Sequence, residues 1–160
     1  LVHQVDRALT SIETLLKALL DISRLDSGVV APTMATVSLG GLLGDLKADF
    51  AAVAERRGLR LVVVPSRLCV TSDAALLGRI LRNLVGNALR YTATGRVLIG
   101  VRRRGGRARI DVIDTGMGIP RDQHAAIFEE FHRGHAAAAD GEIGLGLGLS
   151  IVQRLVAALG

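Results

Sequence analysis

The sequence predicts an α+β fold in which helices and strands are mixed without regular alternation. Three observations lead there. From Val2 to Leu25 the apolar residues recur at intervals of three and four, as on one side of a helix. The runs RVLIGVRRR and RARIDVID flank Gly105-Gly106 as the strands of a hairpin would. Elsewhere helical and strand patterns follow one another without the repeating β-α-β rhythm of a parallel sheet.

Taken in order, Val2, Val5, Leu9, Ile12, Leu16 and Leu19 form a heptad seam, widened by Leu15, Leu20 and Ile22. So much apolar face calls for a bundle partner, either a second helix or a second subunit. Ser27-Gly28 ends this helix, and residues 29–37, containing Pro32, read as a linker. Ser38 is placed to cap a helix running to Arg57 and stopped by Gly58. Gly40, Gly41 and Gly44 predict a frayed first turn. LRLVVV reads as a buried strand and LCV as a second, short one. Ser72 or Asp73 caps the next helix, whose Leu77, Ile80, Leu81, Leu84 and Ala88 keep helical spacing. After the hairpin come a glycine-rich loop, a short helix near Gln123–Phe131, a polar, alanine-rich loop, and a last helix from Leu147.

At 160 residues, 49% of them hydrophobic, the chain can bury the core of one domain with an appendage. No stretch is apolar for the length of a membrane span, and the start carries no signal-peptide pattern. Leu1 falls inside a helical pattern, so a fragment of a longer chain is expected. The single cysteine, Cys69, excludes an internal disulfide and fits a reducing compartment. Net charge is +5, and five arginines cluster at 102, 103, 104, 107 and 109. With aromatic residues at only 2% there is little to stack on bases. The cluster therefore reads as the solvated face of a hairpin, with no nucleic-acid partner expected.

Three constellations could carry chemistry. Asn83 and Asn87 lie four apart and share a helix face, where asparagine is disfavoured unless it has a polar task. An amide oxygen suits Mg²⁺, which prefers hard oxygen ligands; solvent-facing filler is the alternative. DTGMGIP places Asp114 at a strand end before Gly116 and Gly118. That arrangement could accept hydrogen bonds from an exocyclic amine beside a flat ring, or could be an ordinary Asx turn. GLGLGLSIV sets Gly144, Gly146 and Gly148 against a helix start, where backbone N–H groups favour phosphate. The run lacks the Gly-Lys-Ser/Thr ending of a Walker loop and the third glycine of a dinucleotide fingerprint.

Together these segments resemble sensor histidine kinases. LRNLVGNALRYT is similar to their N box, DTGMGIP to the G1 box, IFEEFHRG to the F box and GLGLGLSIV to the G2 box. LLDISRLDSG looks like the end of the second helix of their dimerisation and phosphotransfer module. The resemblance implies a Bergerat (GHKL-type) α/β sandwich, with a mixed sheet and helices on one face, over residues 38–160. Residues 1–28 would be the partial bundle helix and 29–37 the linker. It also implies ATP and Mg²⁺ as cofactors. Asn87 would be the metal ligand and, with Asn83 supporting it, the catalytic pair. Arg90 would reach the phosphates, Tyr91 would line the site, and Asp114 would take the adenine amino group between Gly116 and Gly118. Phe128 and Phe131 would anchor a mobile lid over 133–143. Phe131, Arg133, Gly144, Leu145, Gly146, Leu147 and Gly148 would complete the nucleotide contacts.

Some features depart from that pattern. None of the histidines sits in a phosphoacceptor motif. His3 lacks the acidic neighbour and proline, and the HRGH pair His132 and His135 has too few ligands for a metal. Leu145 stands where threonine is common, and the two strands that usually follow the last helix are not seen. The implied activity is transfer of the ATP γ-phosphoryl to a histidine outside the chain, for onward transfer to a response regulator receiver domain. The implied protein is a homodimer through the bundle helix. It would be cytoplasmic here, with no membrane contact by this segment. The alternatives are a GHKL-type conformational ATPase and a non-catalytic dimerisation module without nucleotide.

Overall fold

In a computed structural model, residues 2–28, 31–132 and 146–160 are described. Helix α1, Val2–Asp26, follows the heptad pattern. It stops where expected: Gly28 adopts φ +66° and its N–H donates to the Leu25 carbonyl. Strand β1, Ala35–Ser38, then pairs antiparallel with β3, Cys69–Ser72. The C-terminal part of the expected linker is therefore a strand. The pattern hid it because a single residue, Val37, points inward.

Helix α2, Leu39–Arg56, is capped by Ser38, whose Oγ accepts from the Gly41 N–H at 3.3 Å. The helix is formed from Leu39, through all three glycines. Leu39 and Leu43 are buried and anchor the first turn. A Cβ on Gly40 would collide with the Ser66 carbonyl, so glycine there permits a close chain crossing. Gly58, at φ +64°, ends the helix. Strand β2, Arg60–Val63, forms the edge of a three-stranded sheet ordered β2-β4-β5. The expectation that this segment is fully buried fails for that reason: Leu61 and Val63 pack on the core while Val62 and Val64 face outward.

Asp73 rather than Ser72 caps helix α3, Ala74–Tyr91. Its Oδ1 accepts from the N–H groups of Ala75 and Leu76, both at 2.9 Å. Its Oδ2 accepts from the Thr33 N–H at 2.7 Å, which pins the segment before β1 to the start of α3. These bonds, that from Leu76 foremost, hold the nearly buried carboxyl below the usual carboxylate range. Strands β4, Arg96–Arg104, and β5, Arg107–Asp114, form the hairpin. Gly105 and Gly106 both have positive φ, as a tight two-residue turn requires. Strand β4 also pairs with β2 in parallel, which makes the sheet mixed.

The short helix expected near Gln123–Phe131 is instead two single 3₁₀ turns, Arg121–Gln123 and Ala126–Phe128. Beyond them Phe131 turns to φ +60° and donates its N–H to the Gly146 carbonyl at 3.1 Å, which takes the chain out of helical register. Helix α4, Gly148–Leu159, ends the chain.

Two apolar clusters hold these parts together. One joins α2 and α3 to the sheet through Leu43, Leu46, Leu81, Val85, Leu89, Val97 and Ile99. The other joins α1, α3 and α4 through Ile22, Ile80, Leu147, Ile151, Val152 and Leu155. Burying a side chain such as Leu155 contributes about 1.5–3 kcal/mol relative to leaving it exposed. The arginines of the hairpin do lie outward. Asp111 accepts from Arg109 Nε at 2.6 Å and sits 2.8 Å from Arg102 Nη2, and these contacts lower its pKa, the Arg109 bond most.

Candidate nucleotide site

Helix α3 projects Asn83 and Asn87 on one face because they are four residues apart. The Asn83 Nδ2 donates to the Arg79 carbonyl one turn earlier, at 3.0 Å, which orients the Oδ1 end away from that bond. The first turn of α4 comes up against this pair. A Cβ built on Gly148 would stand 3.2 Å from Asn83 Oδ1 and 3.6 Å from Asn87 Nδ2. Leu147, at the N-cap position, makes no side-chain capping bond to the first turn of α4. An uncapped N-terminus of a three-turn helix carries unpaired N–H groups and partial positive charge.

A groove of about 250 Å³ opens beside the asparagines, between α2 and α3, lined by Phe50, Val53 and Arg57 opposite Asn83, Asn87 and Arg90. Arg57 Nη2 donates to the Arg90 carbonyl, tying the two helices at the groove's end. The next residue, half-exposed Tyr91, ends α3. A Cβ on Gly116 would lie 2.5 Å from the Tyr91 carbonyl oxygen and 2.8 Å from Asp114 Oδ1, so glycine is required where the loop after β5 crosses the end of α3. The Gly116 N–H donates to Asp114 Oδ1 at 2.8 Å. The Asx contact is therefore present, and no other hydrogen bond to the exposed Asp114 carboxylate is made among the described residues. Gly118, at φ +70°, turns the loop in open space.

The structure thus brings Gly148 against Asn83 and Asn87, sets Arg90 with the two asparagines along the groove, and places Tyr91, Asp114 and Gly116 beside one another at the end of α3. Gly146 has a reason of its own. At φ +69° its missing Cβ leaves room for the Phe131–His132 backbone, which would lie 2.8 Å from it. The side chain of Leu147 is buried with Ile22, Ile80 and Ile151. Phe128 and Phe131 are exposed beside the second 3₁₀ turn. Arg133, Gly144, Leu145, His135 and the expected lid lie outside the described residues. One further lining residue carried no signal in the sequence: Phe50, from α2.

The sequence matches a known family. Residues 72–160 fit the profile of the histidine kinase-, DNA gyrase B- and HSP90-like ATPases. The chain belongs to that family. Within it, the relatives are sensor kinases. The chain is 37% identical over 154 residues to the sensor protein kinase PmrB of Pseudomonas aeruginosa, covering 96% of this chain and 32% of that protein. It is 34% identical over 141 residues to the sensor-like histidine kinase SenX3 of Mycobacterium tuberculosis, covering 87% of this chain and 34% of SenX3. Among solved structures it is similar to full-length ShkA in complex with AMPPNP, with a TM-score of 0.79 and 32% identity over 92% of this chain and 31% of ShkA. The histidine kinase AdeS of Acinetobacter baumannii shares the fold, with a TM-score of 0.76 at 19% identity over 94% of this chain and 69% of AdeS. The chain spans about a third of the length of the curated relatives PmrB and SenX3. It is thus a GHKL-type ATP-binding domain of the sensor histidine kinase kind, as its sequence motifs imply.

Proposed function

We propose that this chain binds Mg·ATP and, within its whole protein, presents the γ-phosphoryl to a histidine on another segment. The phosphoryl then passes to a response regulator receiver domain. The observation that carries this reading is the meeting of Asn83, Asn87 and the uncapped start of α4 at Gly148. The residues fit a magnesium–triphosphate group. Hard amide oxygens stand next to unpaired N–H groups, and the missing Cβ leaves a cradle that a side chain would fill. Magnesium would neutralise phosphate charge, with Asn87 as its protein ligand and phosphates and water completing the shell.

The chain's own residues position the nucleotide. The α4 N–H groups and Arg90 hold the phosphate end. Asp114 accepts from the adenine amine, and Gly116 keeps that approach clear of a Cβ. Asn83 stays fixed through Arg79 and keeps Asn87 in place. Phosphoryl transfer depends chiefly on such positioning and charge stabilisation, so few protein groups need to act on the reacting atoms.

Residues 1–28 fit the second helix of a dimerisation module, with 38–160 as the nucleotide domain. Exposed Leu9, Ile12, Leu16 and Leu20 on α1 fit a homodimer seam in the whole protein. A cytoplasmic position follows from the use of ATP. No described helix is long and apolar enough to cross a membrane.

Isothermal titration of the chain with ATP, with and without magnesium, tests the reading. Micromolar binding that depends on magnesium, and loses that dependence in Asn87→Ala, is expected. No heat with folded wild-type protein would overturn it.

A further inference from the structure

Arg154, on α4, joins three parts of the chain that are distant in sequence. Its Nε donates to Oδ1 of Asp26, the last residue of α1, at 2.7 Å. Its Nη2 donates to Oε1 of Glu130, just beyond the second 3₁₀ turn. Its Nη1 reaches the Ser150 carbonyl on its own helix at 3.4 Å. A planar guanidinium can hold two carboxylates at once in this way, whereas an ammonium cannot reproduce the fork.

The side chains of Asp26 and Glu130 are 55% and 38% exposed, so solvent screens each pair and neither alone holds much. What matters is the shared donor. Either carboxylate orients the guanidinium for the other, so the two contacts reinforce each other.

Glu130 adjoins Phe131, whose left-handed backbone is strained for a bulky side chain. Such a conformation persists where its surroundings over-determine it. Here one restraint is the Phe131 N–H bond to the Gly146 carbonyl, and the other is the hold of Arg154 on Glu130. Gly146 leads directly to Gly148, against Asn83 and Asn87. Along α4, Ile151 and Leu155, at helical spacing from Gly148, pack in one cluster with Ile22 of α1.

We propose that Arg154 is a positioning residue that couples the seating of α4 on α1 to the backbone at residues 129–132, and so to the Gly146–Gly148 edge of the nucleotide site. The link to nucleotide rests on the proposed function; the clasp itself does not. When the end of α1 leaves α4, the guanidinium loses one anchor, Glu130 is held less firmly, and the Phe131 turn loosens.

Amide hydrogen exchange on the nucleotide-free chain tests this with Asp26→Asn, Glu130→Gln, the double variant and Arg154→Lys. Asp26→Asn removes an acid from a helix C-terminus, which by itself favours that helix, so loosening elsewhere cannot come from melting of α1. Exchange of the Phe131 amide is expected to quicken about two- to fivefold in Asp26→Asn, the range an exposed pair supports. The double variant should exceed neither single by much, and Arg154→Lys should match it. An unchanged Phe131 amide in Asp26→Asn, or effects that multiply in the double variant, would overturn the coupling. Wild-type chain that shows the exchange pattern but binds no Mg·ATP would uphold the clasp and reject the nucleotide reading.

Discussion

Gly148 on α4 faces Asn83 on α3 so closely that a Cβ would stand 3.2 Å from the Asn83 Oδ1. That contact fixes how the start of one helix lies over the polar face of another, and a methyl group there must displace the amide by a few tenths of an ångström. Gly148→Ala is therefore expected to fold and melt near wild type. It should weaken Mg·ATP binding by about three- to tenfold, on the order of 1 kcal/mol, in a calorimetric titration. Unchanged affinity would remove the Asn83–Gly148 contact from the site.

Gly146→Ala should behave differently. Its φ of +69° and the Phe131–His132 backbone 2.8 Å from an added Cβ leave no room to adjust. A loss of more than about 1 kcal/mol in stability is expected from the left-handed conformation and the clash together, read in urea denaturation.

Asp114→Ala tests the proposed adenine contact. It removes the acceptor of the Gly116 N–H and, on the proposed reading, the partner of the adenine amine. Preference for ATP over GTP should fall by at least about tenfold in competition binding. A variant that keeps its full preference would place Asp114 outside the site.

Acid should act through Asp73. Its folded pKa lies below the ordinary value because its carboxylate accepts three backbone N–H bonds, Leu76 foremost. A group depressed on folding contributes stability that is complete above its unfolded pKa, about 4, and is lost as pH falls through the folded one. Asp111, also depressed, acts in the same direction. Denaturation midpoints should thus decline below pH about 4, and Asp73→Asn should flatten part of that decline. An identical slope in the variant would exclude Asp73 as a contributor.

Leu155 is fully buried where α1, α3 and α4 meet. Leu155→Ala should cost about 2–5 kcal/mol, measured by chemical denaturation. A cost below about 1 kcal/mol, roughly that of a surface change, would show that this cluster adds little.

Features written in local pattern were legible from the sequence. The cap before α3, the Gly105-Gly106 turn, the seam of α1 and the shared face of Asn83 and Asn87 each depend on residues within a turn or two. Strand β1 was not legible, because it shows one inward residue and its partner β3 begins at Cys69. The outer position of β2 depends on sheet order, which no single segment encodes. The glycines before α4 were expected to serve a ligand. Gly146 is first required by the chain itself, through the Phe131–His132 backbone, while a Cβ at Gly148 would only press on the Asn83 amide. The inward side chain of Leu147 is legible in the apolar spacing it shares with Ile151 and Leu155. The bond between Arg154 and Asp26 crosses 128 residues and leaves no mark in either neighbourhood.

Strand β5 borders the described three-stranded sheet on its outer side, with Ile113 uncovered near its end. The arginines of the hairpin, Arg107 and Arg109 among them, set positive charge along that same border. Like charge gathered there repels the same face of a second molecule, which favours solubility at low salt. That protection weakens in concentrated salt, where screening shortens the reach of charge to a few ångströms.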